Sequence, residues 1–380
     1  MTNPTDFGSA GLRLASDQPA GPSDERAALD TMLAELVASG GSDLHLGADA
    51  PPKLRVNGDL YDMHGYPALT AADIAILIRS LLNDEQWEHF ELVKEYDFSH
   101  DIPSISRFRV NLHAERNGYG AVFRAIPHVI KSLGDLQMPT VLSDFANMHR
   151  GLVLVTGPTG SGKTTTLAAV VDEVNRRRQA HILTIEDPIE FLHRGIKSRI
   201  TQREVGTDTS SFATALRAAL RQDPDVILVG EMRDPETAGV AITAAETGHL
   251  VLATLHTSSA AQTIDRLIDM FPHGQQNTIR AQLSNTLQGI VTQSLVRRID
   301  RPGRIAATEI LIATPAIRNL IREGKIHQIP TFMQSSSENG MHTFDSSLAN
   351  RVREGAIDEA VARSLAHSAE DFERLVGRRY

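Results

Sequence analysis

The sequence predicts an α/β protein with two domains. Its 380 residues are 41% hydrophobic, and single hydrophobic cores usually stop growing below about 300 residues. Residues 24–126 combine helical patterns with alternating strands, which is typical of a small α+β domain. From about Phe145 onward, short apolar strands alternate with helices, and that order predicts a parallel sheet covered by helices.

Changes in composition set the domain boundaries that we expect. The first residues are rich in Gly, Pro, Ser and Asp without periodicity, so they should form a disordered tail. Prolines bound an aperiodic stretch after residue 126, which we interpret as a linker. The expected segments are a tail at 1–23, a first domain at 24–126, a linker at 127–144, an α/β domain at 145–314 and a helical C-terminal region at 315–380.

In the first domain, apolar residues recur at helical spacing in two stretches and alternate with polar residues in others. Gly40 and Gly41 should end the first helix, and Thr70 should cap the second. The dipeptide Asn57-Gly58 suits a tight hairpin turn. The helical stretches are 29–37 and 70–81, and the strand signals lie at 43–46, 54–56, 107–113 and 121–126.

In the second domain, the predicted strands and helices follow one another in turn. The strands are 152–156, 182–185, 226–229 and 250–255, and the helices are 163–177, 211–221 and 235–246. Because open parallel sheets bind ligands at the carboxyl ends of their strands, we expect the functional site at that edge.

Composition excludes several classes of site and partner. The chain has 38 Lys and Arg and 47 Asp and Glu, which gives a formal net charge of −9, and it has no long basic run. Nucleic acid is therefore not an expected partner. There is no cysteine, which excludes disulfides, thiolate nucleophiles and cysteine zinc sites. No apolar run approaches the roughly 18 residues that span a bilayer, so membrane association should come only through partners.

The stretch GPTGSGKTTT, beginning at Gly157, has the spacing G-x-x-x-x-G-K-[ST] between a predicted strand and a predicted helix. Glycines let backbone N–H groups point inward, and the helix N-terminus adds positive potential for phosphate. Lys163 should reach the β- and γ-phosphates of ATP, and the Thr164 hydroxyl should ligate Mg²⁺. The expected phosphate-binding residues are Gly157, Pro158, Thr159, Gly160, Ser161, Gly162, Lys163, Thr164 and Thr165.

Two predicted strands end in carboxylates suited to ATP hydrolysis. DVILVGE delivers Glu231, and ILTIEDPIE delivers Glu186, with Asp187 and Glu190 beyond it. Gly230 precedes Glu231 where an aspartate commonly holds Mg²⁺. Either Glu231 holds the metal and Glu186 orients the attacking water, or the roles are reversed, and we favour Glu186 as the base.

Histidines and arginines are further candidates for residues that act at the phosphates of ATP. His256 ends the strand HLVLATLH at the edge where the phosphates should lie, whereas His249 opens that strand and should be far from the nucleotide. Arg107, Arg109 and Arg124 crowd two neighbouring strands of the first domain, with no obvious acidic cluster nearby. An arginine near the γ-phosphate accelerates phosphoryl transfer and is often supplied by another subunit. If the protein forms a ring, Arg109 and Arg124 are candidates for that role.

Several of these stretches together resemble the secretion and pilus motor ATPases. GPTGSGKTTT, ILTIEDPIEF, LRQDPDVILVGEMRD and TGHLVLATLHT are similar, in order, to the Walker A, Asp, Walker B and His boxes of that family. SDLHL and PPKLRVNGDL resemble the opening of its PAS-like N-terminal domain, which precedes a RecA-like P-loop domain. AIRNLIREGKIHQIP resembles a C-terminal signature of the branch that retracts type IV pili.

The resemblance implies a homohexameric ring in which ATP lies between the two domains and Arg109 and Arg124 approach its phosphates. ATP turnover in such a ring drives an inner-membrane platform protein that disassembles the pilus, the basis of twitching motility. An assembly ATPase or an accessory retraction ATPase is a further partner in this family. The implied location is cytoplasmic, at the inner face of the cytoplasmic membrane.

The missing cysteines also bear on the branch of the family. Assembly ATPases usually carry a tetracysteine zinc insertion, so a chain without cysteine resembles the retraction branch more closely. A related secretion ATPase, an accessory retraction subunit and a RecA-like nucleic-acid translocase are the alternatives. By its pattern, the segment from Ala316 is a helix with a core stripe and a solvated face of Arg318, Arg322 and Lys325. By the resemblance, the same segment is a surface used in retraction.

Overall fold

The computed structural model describes residues 24–56, 58–103, 105–126, 129–335 and 340–377. The predicted tail at 1–23 and Asn57 of the predicted hairpin turn lie outside these ranges. The chain divides after Ile126 into two compact units. Across the described ranges, every helix is too short or too polar to cross a membrane.

The first unit contains an antiparallel sheet of six strands within its described residues, in the order β3-β2-β1-β6-β5-β4. Its strands are β1 (Asp43–Leu46), β2 (Lys53–Val56), β3 (Asp59–Asp62), β4 (Glu95–Ile102), β5 (Ser106–Glu115) and β6 (Gly118–Ile126). Its helices are α1 (Asp24–Ala38), α2 (Ala71–Arg79) and α3 (Asp84–Val93). Thr70 caps α2 as predicted, because its hydroxyl accepts a hydrogen bond from the backbone N–H of Asp73.

Apolar and polar residues alternate along β5, and this alternation shows which face of the sheet is buried. Phe108, Val110 and Leu112 are fully buried and pack against α1 and α2 through residues such as Leu33 and Ile78. Side chains at the intervening positions therefore lie on the opposite, polar face, since successive residues of a strand point to opposite sides.

The second unit contains a sheet of seven strands within its described part, in the order β13-β12-β7-β11-β10-β8-β9. Its strands are β7 (Gly151–Thr156), β8 (His181–Glu186), β9 (Arg199–Glu204), β10 (Val226–Val229), β11 (Leu250–Leu255), β12 (Leu287–Arg297) and β13 (Arg304–Ile312). Neighbouring strands from β12 to β9 are parallel, as predicted. Strand β13 was not among the predicted strands, and it pairs antiparallel with β12 because a short turn joins the two.

Helices cover both faces of the second sheet. Leu152 and Leu154 of β7 pack with one set of helices, and Val153 and Val155 pack with the other. The helices are α4 (Val141–Asn147), α5 (Lys163–Arg177), α6 (Phe212–Ala219), α7 (Pro235–Glu246), α8 (Ala260–Asp269) and α9 (His273–Thr286). Burial on both faces explains why the central strands read as continuous apolar runs rather than as alternating patterns.

The segment expected to be a linker contributes to the core of the second unit. Leu133 and Met138 are buried there beside Val141 and Leu142 of α4. Apolar side chains at irregular spacing gave no helical or strand period, so their burial was not evident from the sequence.

The C-terminal region is helical and packs against β13. Its helices are α10 (Pro315–Arg322), α11 (Ile329–Gln334), α12 (Phe344–Arg353), α13 (Glu359–Leu365) and α14 (Ala369–Gly377), with a 3₁₀ turn at Ile326–Gln328. The buried carboxylate of Glu309 on β13 accepts backbone hydrogen bonds from Ala260 at the start of α8 (2.6 Å) and from Phe344 at the start of α12 (3.4 Å). One side chain therefore satisfies the N-terminal ends of two helices.

Helix α10 differs in part from its predicted pattern. Ile317 and Ile321 are buried, as the core stripe requires. The prediction of a solvated Arg318 is wrong, because its guanidinium donates to the backbone carbonyl oxygens of Ala313, Ser284 and Asn285 at 2.8 to 2.9 Å. Burial lowers the pKa of Arg318, and the neighbouring Arg322 lowers it further. The long side chain of Arg318 thus donates hydrogen bonds to backbone carbonyls at the end of α9 that lack an intrahelical partner.

Candidate nucleotide-binding site

The predicted phosphate-binding loop lies between β7 and α5, at the carboxyl edge of the second sheet. Its glycines adopt left-handed backbone conformations, with φ of +140° at Gly157, +78° at Gly160 and +88° at Gly162. A Cβ atom at Gly157 would lie 2.2 Å from the backbone oxygen of Gln293, so a larger residue does not fit. The loop curls tightly into the start of α5, whose first N–H groups have no intrahelical partner.

Lys163 folds back over this loop. Its Nζ donates to the backbone oxygens of Gly157 (2.8 Å) and Pro158 (3.1 Å) and lies 3.5 Å from Nδ1 of His256. Burial lowers the pKa of Lys163, while Glu231 acts in the opposite direction. The ammonium group is thus held in a partly desolvated place by neutral carbonyls, where phosphate oxygens would be stronger partners.

The order of strands in the sheet brings the candidate catalytic residues to the same carboxyl edge as the phosphate-binding loop. From β7, the neighbouring strands are β11, β10 and β8, which lead to His256, Glu231 and Glu186 respectively. With about 4.8 Å between adjacent strands, these strand ends lie about 5, 10 and 14 Å from the loop. His256 is therefore closest to Lys163, and Glu186 is the most distant of the three.

Glu231 and His256 form a contact chain with Lys163. Oε1 of Glu231 lies 3.1 Å from Nε2 of His256, and its Oε2 accepts a hydrogen bond from Arg233 at 2.8 Å. Burial opposes the ionisation of Glu231, but Arg233 and His256 outweigh it and hold the pKa of that carboxyl below its usual value. Glu231 is therefore ionised at neutral pH, with His256 between it and Lys163.

Glu186 occupies a different environment. Its Oε1 accepts hydrogen bonds from Oγ1 of Thr184 (2.6 Å) and from Nε2 of Gln202 (3.1 Å). Burial is the largest influence and raises the pKa of Glu186, although both hydrogen bonds act in the opposite direction. Two carboxylates at one sheet edge therefore have pKa values shifted in opposite directions.

Gly230, the residue before Glu231, contacts the neighbouring strand β8 beside Glu186. Its N–H donates to the backbone oxygen of Ile185 at 2.8 Å. A Cβ atom at this position would lie 3.3 Å from the Cα of Glu186 and 3.2 Å from that same oxygen. A side chain here would require β8 to shift by a few tenths of an ångström, so the close approach favours glycine before Glu231.

The donor set fits a magnesium ion bound together with nucleotide. Thr164 is exposed on the first turn of α5, next to Lys163, and Glu231 is ionised. Among the described residues, no three His, Cys, Asp or Glu side chains form a cluster that could hold a metal alone. Mg²⁺ bound with nucleotide usually takes only one or two protein ligands, with the rest from phosphates and water.

A cavity of about 540 Å³ opens beside these side chains. Glu231, Arg233 and His256 line it on one side, and Asp265 and Arg266 of α8 line it on the other. The carboxylate that contacts His256 is thus reachable from solvent, and the space next to it is lined by both charged and apolar side chains, the latter including Met232 and Leu255.

The arginines lie on the polar face of the first unit. The sequence shows no obvious acidic cluster near them, but in the structure Arg124 forms an ion pair with Asp43 (2.8 Å) and Arg107 forms one with Asp101 (3.6 Å). Arg109 lies directly opposite Arg124 in the pairing of β5 with β6. The antiparallel pairing of β1 with β6 brings Asp43 opposite Arg124, although the two are distant in sequence.

Sequence reasoning missed several polar side chains at the site, namely Thr184, Gln202, Arg233 and Gln293. Thr184, Gln202 and Gln293 lie within strands and Arg233 lies in the loop after β10, places where a single polar residue resembles an ordinary surface position. His249 lies at the opposite end of β11 from His256 and contacts the backbone oxygen of Ala244 at 3.0 Å. This placement agrees with the expectation that His249 is far from the loop.

Comparisons with known proteins agree with this geometry. Residues 22–360 match the family model described as type II/IV secretion system protein. A type IV pilus retraction ATPase, PilT, from Pseudomonas aeruginosa is 50% identical over 341 residues, which cover 90% of this chain and 98% of the relative. A twitching motility protein from Neisseria gonorrhoeae is 50% identical over 321 residues, covering 84% of this chain and 86% of the relative.

A solved structure, that of the pilus retraction motor PilT with bound ADP, superposes with a TM-score of 0.85 at 43% identity. It matches 90% of this chain and 98% of that chain. The family model covers most of the residues, and the match spans 86% and 98% of the two relatives. The chain therefore belongs to the type II/IV secretion system protein family.

Proposed function

We propose that this protein is an ATP-hydrolysing motor that powers the retraction of type IV pili, and thereby twitching motility. The observation that carries the proposal is the contact chain from Lys163 of the phosphate-binding loop through His256 to Glu231. Lys163 begins α5, whereas His256 and Glu231 follow the ends of β11 and β10, and the three side chains meet where the γ-phosphate of ATP should lie. Relatives at 50% identity that are named for pilus retraction and twitching motility support the same conclusion.

The proposed architecture is a PAS-like domain followed by a RecA-like P-loop domain with a C-terminal helical subdomain. We assign residues 24–126 to the first, 145–314 to the second and 315–380 to the third, with a tail at 1–23; the segment 127–144 packs with the second. The six-stranded sheet before Ile126 and the mainly parallel sheet after it support this assignment.

We assign the phosphates of ATP to the backbone N–H groups of residues 157–165 and to the ammonium group of Lys163. Thr164 and Glu231 would hold Mg²⁺, which neutralises charge on the β- and γ-phosphates. Glu186 accepts the proton of the attacking water, because a raised pKa suits a base and a lowered pKa suits a metal ligand. His256 orients Glu231 and senses the γ-phosphate through its contact with Lys163.

The functional assembly that we propose is a homohexamer. Arg109 and Arg124 would approach the phosphates, and the pairing of Arg124 with Asp43 keeps its guanidinium in a fixed orientation until then. The partners would be an inner-membrane platform protein and an assembly or accessory retraction ATPase. The location would be cytoplasmic, at the inner face of the cytoplasmic membrane, and nucleic acid would not be a partner.

The test measures ATP hydrolysis and native mass for the wild type, Lys163→Ala and Arg109→Ala. Arg116→Ala is the matched control, because Arg116 lies in the exposed turn between β5 and β6, outside both strands. We expect six-subunit particles throughout, with turnover at least about 100-fold lower in the first two variants and unchanged in the control. Full turnover by a strictly monomeric wild type would exclude the motor.

Two further measurements separate the alternatives. Twitching of cells that carry Lys163→Ala should be lost if the protein retracts pili, whereas a related secretion ATPase would leave twitching intact. Salt-dependent binding to single-stranded nucleic acid would instead favour a translocase.

A further inference from the structure

Strand β12 is longer than β7 and continues along the phosphate-binding loop. Thr292 pairs with Thr156, the last residue of β7, and their hydroxyl groups lie 2.8 Å apart. The next residue, Gln293, therefore lies beside Gly157, where the loop begins. The end of β12 thus lies along one side of the loop.

Gln293 contacts both ends of this loop. Its backbone oxygen closely approaches Gly157, and its side-chain Nε2 donates a hydrogen bond to the backbone oxygen of Ser161 at 2.8 Å. The same Nε2 would lie 3.2 Å from a Cβ atom at Gly162. Gln293 is buried, with 1% of its surface exposed, so water does not compete for this hydrogen bond.

We propose that Gln293 is a positioning residue that holds the Ser161–Gly162 peptide so that the N–H of Gly162 faces the β-phosphate. A trans peptide unit is planar, with its C=O and N–H on opposite sides. Because Gln293 draws the carbonyl of Ser161 toward β12, the N–H of Gly162 points away from β12. Gly162 permits either orientation of this peptide, so the amide of Gln293 decides between them.

The unpaired atoms at this place also indicate a ligand rather than ordinary packing. Among the described residues, neither Oε1 of Gln293 nor Oγ of Ser161 has a hydrogen-bonding partner, although both atoms are buried. Core positions with purely structural roles are usually satisfied. A buried glutamine with an unpaired oxygen is therefore better explained by the hydrogen bond that its Nε2 donates to Ser161 than by a contribution to the stability of the fold.

This inference rests on the proposed function, since it requires a loop that binds phosphate. It predicts that Gln293→Met leaves the fold intact, because the change removes one hydrogen bond together with one unsatisfied acceptor. Without the donor, the peptide turns freely and the loop loses its preset shape. We expect ADP to bind about tenfold more weakly, whereas AMP, which lacks the β-phosphate, binds as it does to the wild type.

The experiment measures dissociation constants of ADP and AMP for the full chain, by competition against a fluorescent ADP, and melting temperatures without nucleotide. Gln288→Met is the matched control, because Gln288 lies on the same strand and contacts Arg150 and Arg318 rather than the loop. Gln293→Asn is the second variant, since its shorter side chain cannot reach Ser161 and the strand stays polar.

A selective loss of ADP binding in both Gln293 variants, with Gln288→Met equal to the wild type, supports the inference. Equal weakening of ADP and AMP, or unchanged ADP binding, overturns it. So does the failure of both variants to fold, because Gln293 would then be needed for the strand itself. A wild type that does not bind ADP, or a Lys163→Ala variant that binds it equally well, would instead refute the proposed function.

Discussion

The hydrogen bond from Gln202 to Glu186 leads to a prediction about the pH dependence of ATP hydrolysis. Gln202 lies on β9 and donates to Oε1 of Glu186 at 3.1 Å, beside the shorter bond from Thr184. Its other contacts are to the backbone of Phe191 and His193, in the loop that follows β8. Gln202→Leu removes a donor that favours the ionised form of Glu186.

The size of the effect follows from the geometry. A hydrogen bond to a charged group contributes about 1.5 to 3 kcal/mol, and the low end applies because the bond is long and Thr184 still donates. Since 1.36 kcal/mol corresponds to one pKa unit, the acid limb of the kcat profile should move up by about one pH unit. The sign is upward because burial already raises the pKa of Glu186, and losing a donor raises it further.

The assay is steady-state ATP hydrolysis from pH 5 to pH 9. Well below the limb, Gln202→Leu should be about tenfold slower than the wild type, and well above it the two should agree. Gln282→Leu is the control, because that glutamine also donates to a glutamate, Glu246, but lies on α9 away from the site. An unchanged acid limb with a folded variant would show that the protonation of Glu186 does not limit turnover, and the base would then be Glu231.

Three further perturbations test other parts of the site and fold. Gly157→Ala should abolish ADP binding, measured by calorimetry, because its Cβ would overlap the backbone oxygen of Gln293; retained binding would contradict the loop geometry. Arg233→Ala should lower the magnesium concentration that gives half-maximal ATPase activity, because it frees Oε2 of Glu231, and an unchanged requirement would argue against Glu231 as a ligand. Glu309→Ala should lower the unfolding free energy by about 3 kcal/mol in urea denaturation, since two buried N–H groups lose their acceptor, whereas a loss below about 1 kcal/mol would contradict this role.

Local patterns in the sequence were sufficient for much of the second unit. The strands that lead to Lys163, His256, Glu231 and Glu186 were predictable because each is a short apolar run followed by a polar residue. Parallel strands with helical connections place such residues at one edge, so the gathering of these four was predictable as well. The glycine spacing of the loop predicted a curled backbone for the same local reason, and the left-handed conformations of its glycines agree with that curl.

Antiparallel β13 and the buried segment before α4 were not predictable in this way. A long strand such as β12 carries residues of mixed polarity, and its pairing depends on which neighbour is available rather than on its own pattern. The order of strands in the sheet, not the strands themselves, decides that Glu186 is more distant from the loop than Glu231.

The amino-acid sequence by itself determined the nucleotide loop, the alternation of strands and helices, and the list of polar residues at strand ends, because each depends on neighbours within a few positions. Only the tertiary structure decided which distant side chains meet, such as Arg124 with Asp43 and Gln293 with Ser161. The physical reason is that such contacts depend on strand register and strand order, and a shift of one residue would turn every side chain of a strand to the other face.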